Sequence, residues 1–231
     1  MIRSFKAVFF DAGGTLFHPY PSVGEIYRDV AARYGSHAPA GELQRLFVEA
    51  WRKRDGLGAL QSHLNEKIEK EGWRELVRQV FDQAGGVEDF ENFFEELYVI
   101  FARPEVWRLY PGVLAVLGEL KKRGHRLGIV SNWDSRLLKL CEGLGLNPYL
   151  EFVLASAVFG ASKPSPRIFG EALRQTGVLP EEAVHIGDSY EDDVKGALAA
   201  GIAAILIERG GGASDIFPQV KRIRHLEELL Q

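Results

Sequence analysis

Apolar positions along the chain change period twice. "KAVFF" (6–10) is a short continuous apolar run closed by Asp11, a pattern that predicts a buried strand. From about Val23 to Phe101 the period becomes helical. Val23, Ile26, Tyr27 and Val30 mark one stripe, and Leu43, Leu46, Phe47 and Ala50 another. "ELVRQVFDQAGG" closes on a Gly-Gly helix stop, and "DFENFFEELYVIF" follows with its own apolar face. No alternating run interrupts this region, which predicts an all-helical insert.

From "LYPGVLAVLGELKKRGHRLGIVSN" onward, helix and strand alternate. Pro111 stands near the start of a helix ending in Lys-Lys-Arg-Gly. "RLGIVSN" reads as a strand, 134–144 as a helix, "EFVLAS" as a strand and 166–176 as a helix. "AVHIGD" is a strand closed by Asp188, "EDDVKGALAAG" a helix capped by Gly201, and "IAAILI" a last strand. This rhythm predicts an α/β fold, a doubly wound parallel sheet covered on both faces. Proline-marked hinges near Pro19–Pro21 and Arg103–Pro111 divide the chain into a core of 1–18 and 107–231 and a helical insert of 19–106.

Composition then narrows the class. The 231 residues are 46% hydrophobic and 26% charged, the balance of an ordinary globular protein. A formal net charge of -4 argues against a nucleic-acid binder, and no apolar run approaches the ~20 residues of a membrane span. The lone Cys141 excludes an intrachain disulfide and fits a reducing, cytoplasmic setting. It sits on an apolar helical face, as a buried structural thiol would. The start "MIRSFKAVFFD" enters a strand at once, without the pattern of a secretory signal.

Polar residues stand at four strand ends or the loops beyond them: Asp11, the pair Ser131 and Asn132, Lys163 in "GASKPSP", and Asp188. Singly, each has a plain reading as a cap, a turn former or a surface charge. Together they fall where doubly wound sheets bind ligands, beyond the carboxyl ends of the strands. Asp11 and Asp188 side by side are costly to desolvate unless a cation or donors offset them, and Mg²⁺ suits two carboxylates with carbonyl and water oxygens. Lys163 would neutralise further charge, and Ser131 with backbone N–H groups would hold a phosphoryl oxygen.

These motifs resemble the haloacid dehalogenase (HAD) superfamily. "DAGGT" matches its first motif, "VSN" its second, "SKPSPRIF" its third and "GDSYEDD" its fourth. More narrowly, "SNWDSRL", "KPSPRIFGEAL" and "HIGDSYEDDVKGALAAG" are similar to the group of haloacid dehalogenase-like hydrolase domain-containing protein 3. The resemblance implies a Rossmann-like core with a type-one helical cap, and Mg²⁺-dependent hydrolysis of a small, phosphorylated substrate. It makes Asp11 the nucleophile, forming an aspartyl-phosphate. Asp11, Asp188 and the Gly13 backbone carbonyl become the metal ligands. Ser131, Asn132, Gly14 and Thr15 would hold the phosphoryl group, and Lys163 would orient Asp11. Asp193, or else Asp192, would act from behind on Lys163 or on metal waters, since helix spacing lets only one of the two point inward.

The match breaks at Gly13, where the family's phosphatases carry an aspartate as general acid and base. Glycine cannot donate a proton to the leaving oxygen. Three readings stay open. One is a phosphohydrolase with a good leaving group or a borrowed donor, such as His18 in the hinge. Another is a dehalogenase or phosphonatase-like hydrolase; the latter needs a cap lysine, and Lys53, Lys67 and Lys70 all lie in charged surroundings. The third is a metal- or phosphate-binding scaffold without turnover. In the cap, Trp51, Arg52 and Arg54 could meet a substrate, but the simpler expectation is a helix with Trp51 inward. Trp73, Phe93 and Phe94 read as cap core, and Trp133 as a residue at the entrance or between cap and core.

Overall fold

In the computed structural model, which describes residues 2–54, 64–209 and 220–231, the first strand becomes the middle of the molecule. The chain runs through β1 (Ala7–Phe10), β2 (Phe17–Pro19), then the helices α1 (Val23–Ala31), α2 (Ala40–Arg54), α3 (Glu66–Gln83) and α4 (Phe90–Ile100). It continues through β3 (Trp107–Leu109), α5 (Val113–Lys122), β4 (Arg126–Ser131), α6 (Arg136–Gly143), β5 (Phe152–Ala155) and α7 (Ser156–Phe159). It closes with α8 (Pro166–Thr176), β6 (Ala183–Gly187), α9 (Gly196–Ala199), β7 (Ala203–Ile207) and β8 (Lys221–Ile223). Among the described residues, six strands form a parallel sheet in the order β5-β4-β1-β6-β7-β8. The chain leaves β1 toward β4 on one side and later returns to β6 on the other, so the switch in strand order falls at β1.

Both faces of the sheet are buried, which is why its strands read as unbroken apolar runs. Val8 and Phe10 of β1 point into the layer holding Val116, Leu117 and Leu140 of α5 and α6. Ala7 and Phe9 point into the opposite layer, against Ile168, Phe169 and Ala172 of α8 and Ala197 of α9. Phe9 and Phe10 are fully buried, and each contributes roughly 1.5–3 kcal/mol by leaving water. The Cys141 thiol is buried among these side chains, and that burial pushes it up to about 12.

Helices α1–α4 enclose their own apolar cluster, with Tyr27 in ring contact with Phe47, Phe81 and Phe101. Phe93 and Phe94 are buried in it, as the helical periodicity predicts. Ser22 caps α1 by accepting from the Glu25 amide. No helix among the described residues is long and apolar enough to cross a membrane.

Four expectations need correction. β7 is not the last strand, because Lys221–Ile223 adds a parallel edge strand beyond it. The predicted helix over "EDDVKGALAAG" is a π-helical turn, Tyr190–Lys195, followed by the short α9. The proline-marked junctions are not plain hinges: β2 and β3 pair antiparallel there, with Phe17 opposite Leu109 and Pro19 opposite Trp107. Trp51 does not point inward. It is 43% exposed and stacks on Phe47 and Trp73 at the surface. Arg54 ends α2, and its side chain lies outside the described part of the structure.

Candidate active site

Asp11 follows β1 directly, and its N–H donates to the Ile186 carbonyl of β6, which extends the ladder and fixes the carboxylate at the sheet's edge. Two donors converge on one of its oxygens. Ser131 Oγ, at the tip of β4, donates to Asp11 Oδ1 at 2.9 Å, and Lys163 Nζ donates to the same atom at 2.6 Å. Neither bond uses Oδ2. Lys163 also reaches Asp193 Oδ1 at 2.5 Å, and with 2% exposure its ammonium is spent on these two carboxylates.

Each partner is itself held. Asn132 clasps the backbone of Lys163 from both sides: the Lys163 N–H donates to Asn132 Oδ1 at 2.7 Å, and Asn132 Nδ2 donates to the Lys163 carbonyl at 3.0 Å. A longer contact, 3.4 Å, runs from Asn132 Nδ2 to Asp192 Oδ2. Asp193 accepts from the Ser189 N–H at 3.0 Å and pairs with His185 Nε2 at 2.9 Å. Of the two candidate acids on the π-helical turn, Asp193 is the buried one and Asp192 stands half-buried beside Asn132.

Three carboxylates, Asp11, Asp188 and Asp193, offer oxygens that lie within 4.8 Å of one another. One lysine lies among them, so the cluster carries negative charge that Lys163 alone does not offset. Burial holds the Asp11 carboxyl above its usual value, outweighing Lys163. Asp188 opens to solvent at the mouth of the site but is crowded on its other sides. Desolvation, then the charges of Asp11 and Asp193, raises it well above its ordinary value. Burial would raise Asp193 too, but Lys163 and His185 outweigh it and its carboxyl lies below the usual range. The same pairing keeps Lys163 charged despite burial. Oxygen donors with surplus negative charge are what a hard divalent cation requires, so the residues fit Mg²⁺.

The loop after β1 is shaped by its glycines. Gly14 has φ +79°, and a Cβ there would collide with the Asp188 carboxylate, so only glycine fits. Its N–H donates to the Phe17 carbonyl at 2.9 Å. Thr15 is fully buried, with Oγ1 3.5 Å from Asp188 Oδ1. Arg209 holds this loop from outside by donating to the Gly14 and Thr15 carbonyls while lying on the Tyr110 ring. Gly14, Thr15 and Asn132, expected at the phosphoryl group on sequence grounds, all lie in the loops around Asp11, Lys163 and Asp188. Ser131 stays directly on Asp11. At Gly13, a Cβ would stand 3.0 Å from the six-membered ring of Trp133.

Trp133 is 8% exposed and sits between α1–α4 and the sheet, in ring contact with Phe17 and Trp107. The next residue, Asp134, is fully buried and accepts from the Tyr98 hydroxyl of α4 at 2.8 Å. Arg136 donates to Asp134 and to the Tyr98 carbonyl, and its guanidinium lies over the Tyr98 ring. One loop therefore supplies Ser131 to Asp11, Asn132 to Lys163, Trp133 to Gly13 and Asp134 to the helical region. Sequence reasoning assigned no part to His185, Tyr98, Asp134 or Arg209. For His185 a signal existed, a lone polar residue inside the buried run "AVHIG".

The other candidates lie elsewhere. His18 pairs its Nδ1 with the Pro19 carbonyl and packs on Tyr110. Arg52, Lys53 and Lys67 are exposed, and Lys70 is paired with Glu95 at 2.6 Å.

Residues 5–201 match the haloacid dehalogenase-like hydrolase family. The chain is 38% identical to haloacid dehalogenase-like hydrolase domain-containing protein 3 of Bos taurus, over 91% of this chain and 84% of that protein. It is 31% identical to a phosphoserine phosphatase of Thermus thermophilus, over 89% of each. Its fold is also that of the L-2-haloacid dehalogenase of Xanthobacter autotrophicus, with a TM-score of 0.75 at 21% identity, over 97% of this chain and 96% of that one.

Proposed function

From the haloacid dehalogenase-like hydrolase family, to which this chain belongs, we propose that it is a Mg²⁺-dependent phosphohydrolase with Asp11 as nucleophile. The observation that carries the reading is the asymmetry of the Asp11 carboxylate. Ser131 and Lys163 both bind Oδ1, which fixes the group's rotation and leaves Oδ2 for attack on phosphorus.

In the first step Oδ2 forms a bond to phosphorus while the bond to the leaving oxygen breaks, and that oxygen keeps the electron pair. Lys163 and Ser131 hold Asp11 in line and offset charge on the phosphoryl oxygens. Water then attacks the aspartyl-phosphate, releasing phosphate and restoring Asp11. Asp11, Asp188 and the Gly13 carbonyl would hold Mg²⁺, which when bound supplies positive charge to the transferring phosphoryl group. Asp193 and His185 keep Lys163 in place, and Asn132 fixes its backbone. The helical segment 19–106 acts as a cap that closes over the core of 1–18 and 107–231 and excludes water.

A screen of phosphate esters and acyl phosphates with Mg²⁺, run on the wild type and on Asp11→Asn, tests this. Turnover in the wild type and none in Asp11→Asn is the expected result. Equal turnover in both would reject Asp11 as nucleophile, and silence in both would favour a binding scaffold.

A further inference from the structure

The amino ends of β1 and β4 meet at the edge of the sheet opposite Asp11, roughly 16 Å of extended strand away from it. A cleft of about 540 Å³ opens there, lined by Arg3, Phe5, Lys6, Arg123, Gly124 and His125. Three of these residues are cations, one is a histidine and none is an acid, in a chain whose formal net charge is -4. A cation at the end of α5, such as Arg123, has a plain role in offsetting the negative end of the helix. Arg3 and Lys6 come from the segment before β1 and have no such role.

The walls of the cleft are held in place. Ile2 is buried and its carbonyl accepts from the Phe5 N–H at 3.1 Å, a turn that carries Arg3. The Lys6 carbonyl accepts from the Arg126 N–H at 2.8 Å, which ties Lys6 to the foot of β4. Arg123 is anchored through Nε to Glu119 and through Nη1 to the Leu230 carbonyl, each at 2.9 Å. His125 is 8% exposed, and the Phe5 carbonyl holds its Nδ1 at 2.8 Å.

These anchors leave donors over. Arg3 has no bonding partner among the described residues, and neither has Nη2 of Arg123. Lys6 spends one proton on Glu182, at 2.5 Å, and keeps two. A carbonyl only accepts, so the Phe5 bond places a proton on His125 Nδ1 and leaves Nε2 as the ring nitrogen without a partner.

We infer that this cleft is a binding site for a phosphate-type oxyanion, separate from the reaction at Asp11. Guanidinium and ammonium donors on one concave wall match the several acceptor oxygens of such a group, and no carboxylate in the lining repels it. His125 joins them as a donor only when it is an imidazolium, because its Nδ1 proton is already committed, so binding takes up a proton. The charged groups around it are Arg3, Lys6 and Arg123, while Glu119 and Glu182 bond to Arg123 and Lys6 from outside the lining. The cleft owes nothing to the chemistry of Asp11, and the two assignments stand or fall separately.

Calorimetric titration of the whole chain with sulfate, in EDTA and at low ionic strength, tests this. Sulfate keeps its charge between pH 6 and pH 8, so any pH dependence belongs to the protein. Wild-type affinity should rise at least about fivefold from pH 8 to pH 6. Arg3 is exposed and free of bonds, so Arg3→Gln spares the fold, and it should weaken binding at pH 6 at least about tenfold. His125→Asn keeps a donor for the Phe5 carbonyl but lacks Nε2, and its affinity should not rise at pH 6. Sulfate held at Asp11 would survive both changes, so only binding lost in them counts. Inorganic phosphate and glycerol phosphate, compared at pH 8, distinguish the sources of the anion. Tighter binding of the ester identifies a phosphorylated small molecule, and equal or tighter binding of inorganic phosphate identifies the free ion. Equal sulfate affinity in wild type and Arg3→Gln, a pH dependence retained in His125→Asn, or binding of neither phosphate would overturn the inference.

Discussion

Lys163 Nζ and Asp193 Oδ1 stand 2.5 Å apart with both residues buried, and the same ammonium holds Asp11 at 2.6 Å. Removing one member of such a cluster leaves the others uncompensated, at a cost of about 3–5 kcal/mol. Lys163→Met should destabilise the fold by that amount, measured by urea unfolding. Adding Asp193→Asn to Lys163→Met should recover part of the loss, because one of the stranded charges is then gone. Additive effects of the two changes would show that the pair is not coupled.

The raised carboxyls of Asp188 and Asp11 make the metal-free protein sensitive to pH. A carboxyl raised in the folded state binds more protons there than in the unfolded chain, starting from its ordinary value of 3.8. Its contribution to stability is therefore lost as pH rises through that window toward the folded value. Asp193, depressed, acts in the opposite sense and matters only as pH falls below the ordinary range. Mg²⁺ replaces the proton, so the difference in Tm between samples in Mg²⁺ and in EDTA should grow from pH 4 to pH 8. A difference that is constant or shrinks with pH would contradict the cluster as the cation site.

Gly13 and Trp133 form a coupled pair, so Gly13→Asp alone should not restore a general acid. Its Cβ would stand 3.0 Å from the indole, and overpacking of this kind costs about 1–3 kcal/mol. Trp133→Phe removes the outer ring that blocks the position. The double variant Gly13→Asp with Trp133→Phe should hydrolyse alkyl phosphates at least ~10-fold faster than the wild type, within the usual range for a general acid. If Gly13→Asp alone does as well, the indole is not the obstacle.

The Tyr98 hydroxyl ties α4 to the loop after Ser131 by way of Asp134, beside the Arg136 bond to the Tyr98 carbonyl. Tyr98→Phe should cost about 0.5–1.5 kcal/mol of stability, since Asp134 keeps Arg136. Asp134→Asn should cost more, because it leaves the Arg136 guanidinium without its carboxylate. If closure of the cap depends on this link, kcat/KM in Tyr98→Phe falls while the Mg²⁺ concentration giving half-maximal activity stays unchanged.

How much of this was legible in the sequence depended on length and on burial. Strands such as "KAVFF" and "AVHIG" are buried on both faces, so their apolar runs announce them, and the residues at their tips follow from topology. β2 and β3 have three residues each, too few to show a period, and "FHP" hides its strand behind a proline. β8, Lys221–Ile223, is an edge strand with one exposed and one half-buried residue, which reads as loop. Side-chain contacts across distant segments were out of reach. Trp133 followed a recognisable motif, yet only the fold brings it onto Gly13. Asn132 and Thr15 sat in recognisable motifs, and the fold adds their bonds to Lys163 and Asp188.

The antiparallel pair β2 and β3 has a consequence for how specificity could be exchanged. Pro19 and Trp107 are opposite one another in the ladder, so everything from α1 to α4 leaves and rejoins the sheet through a single narrow doorway. A foreign helical segment would have to match that doorway, the Tyr98 contacts with Asp134 and Arg136, and the bond from the Ser135 N–H to Glu66 to be carried on the same chemistry. The junction makes the helices a replaceable cassette, and the selection of substrates a property that could be transplanted without rebuilding Asp11's surroundings.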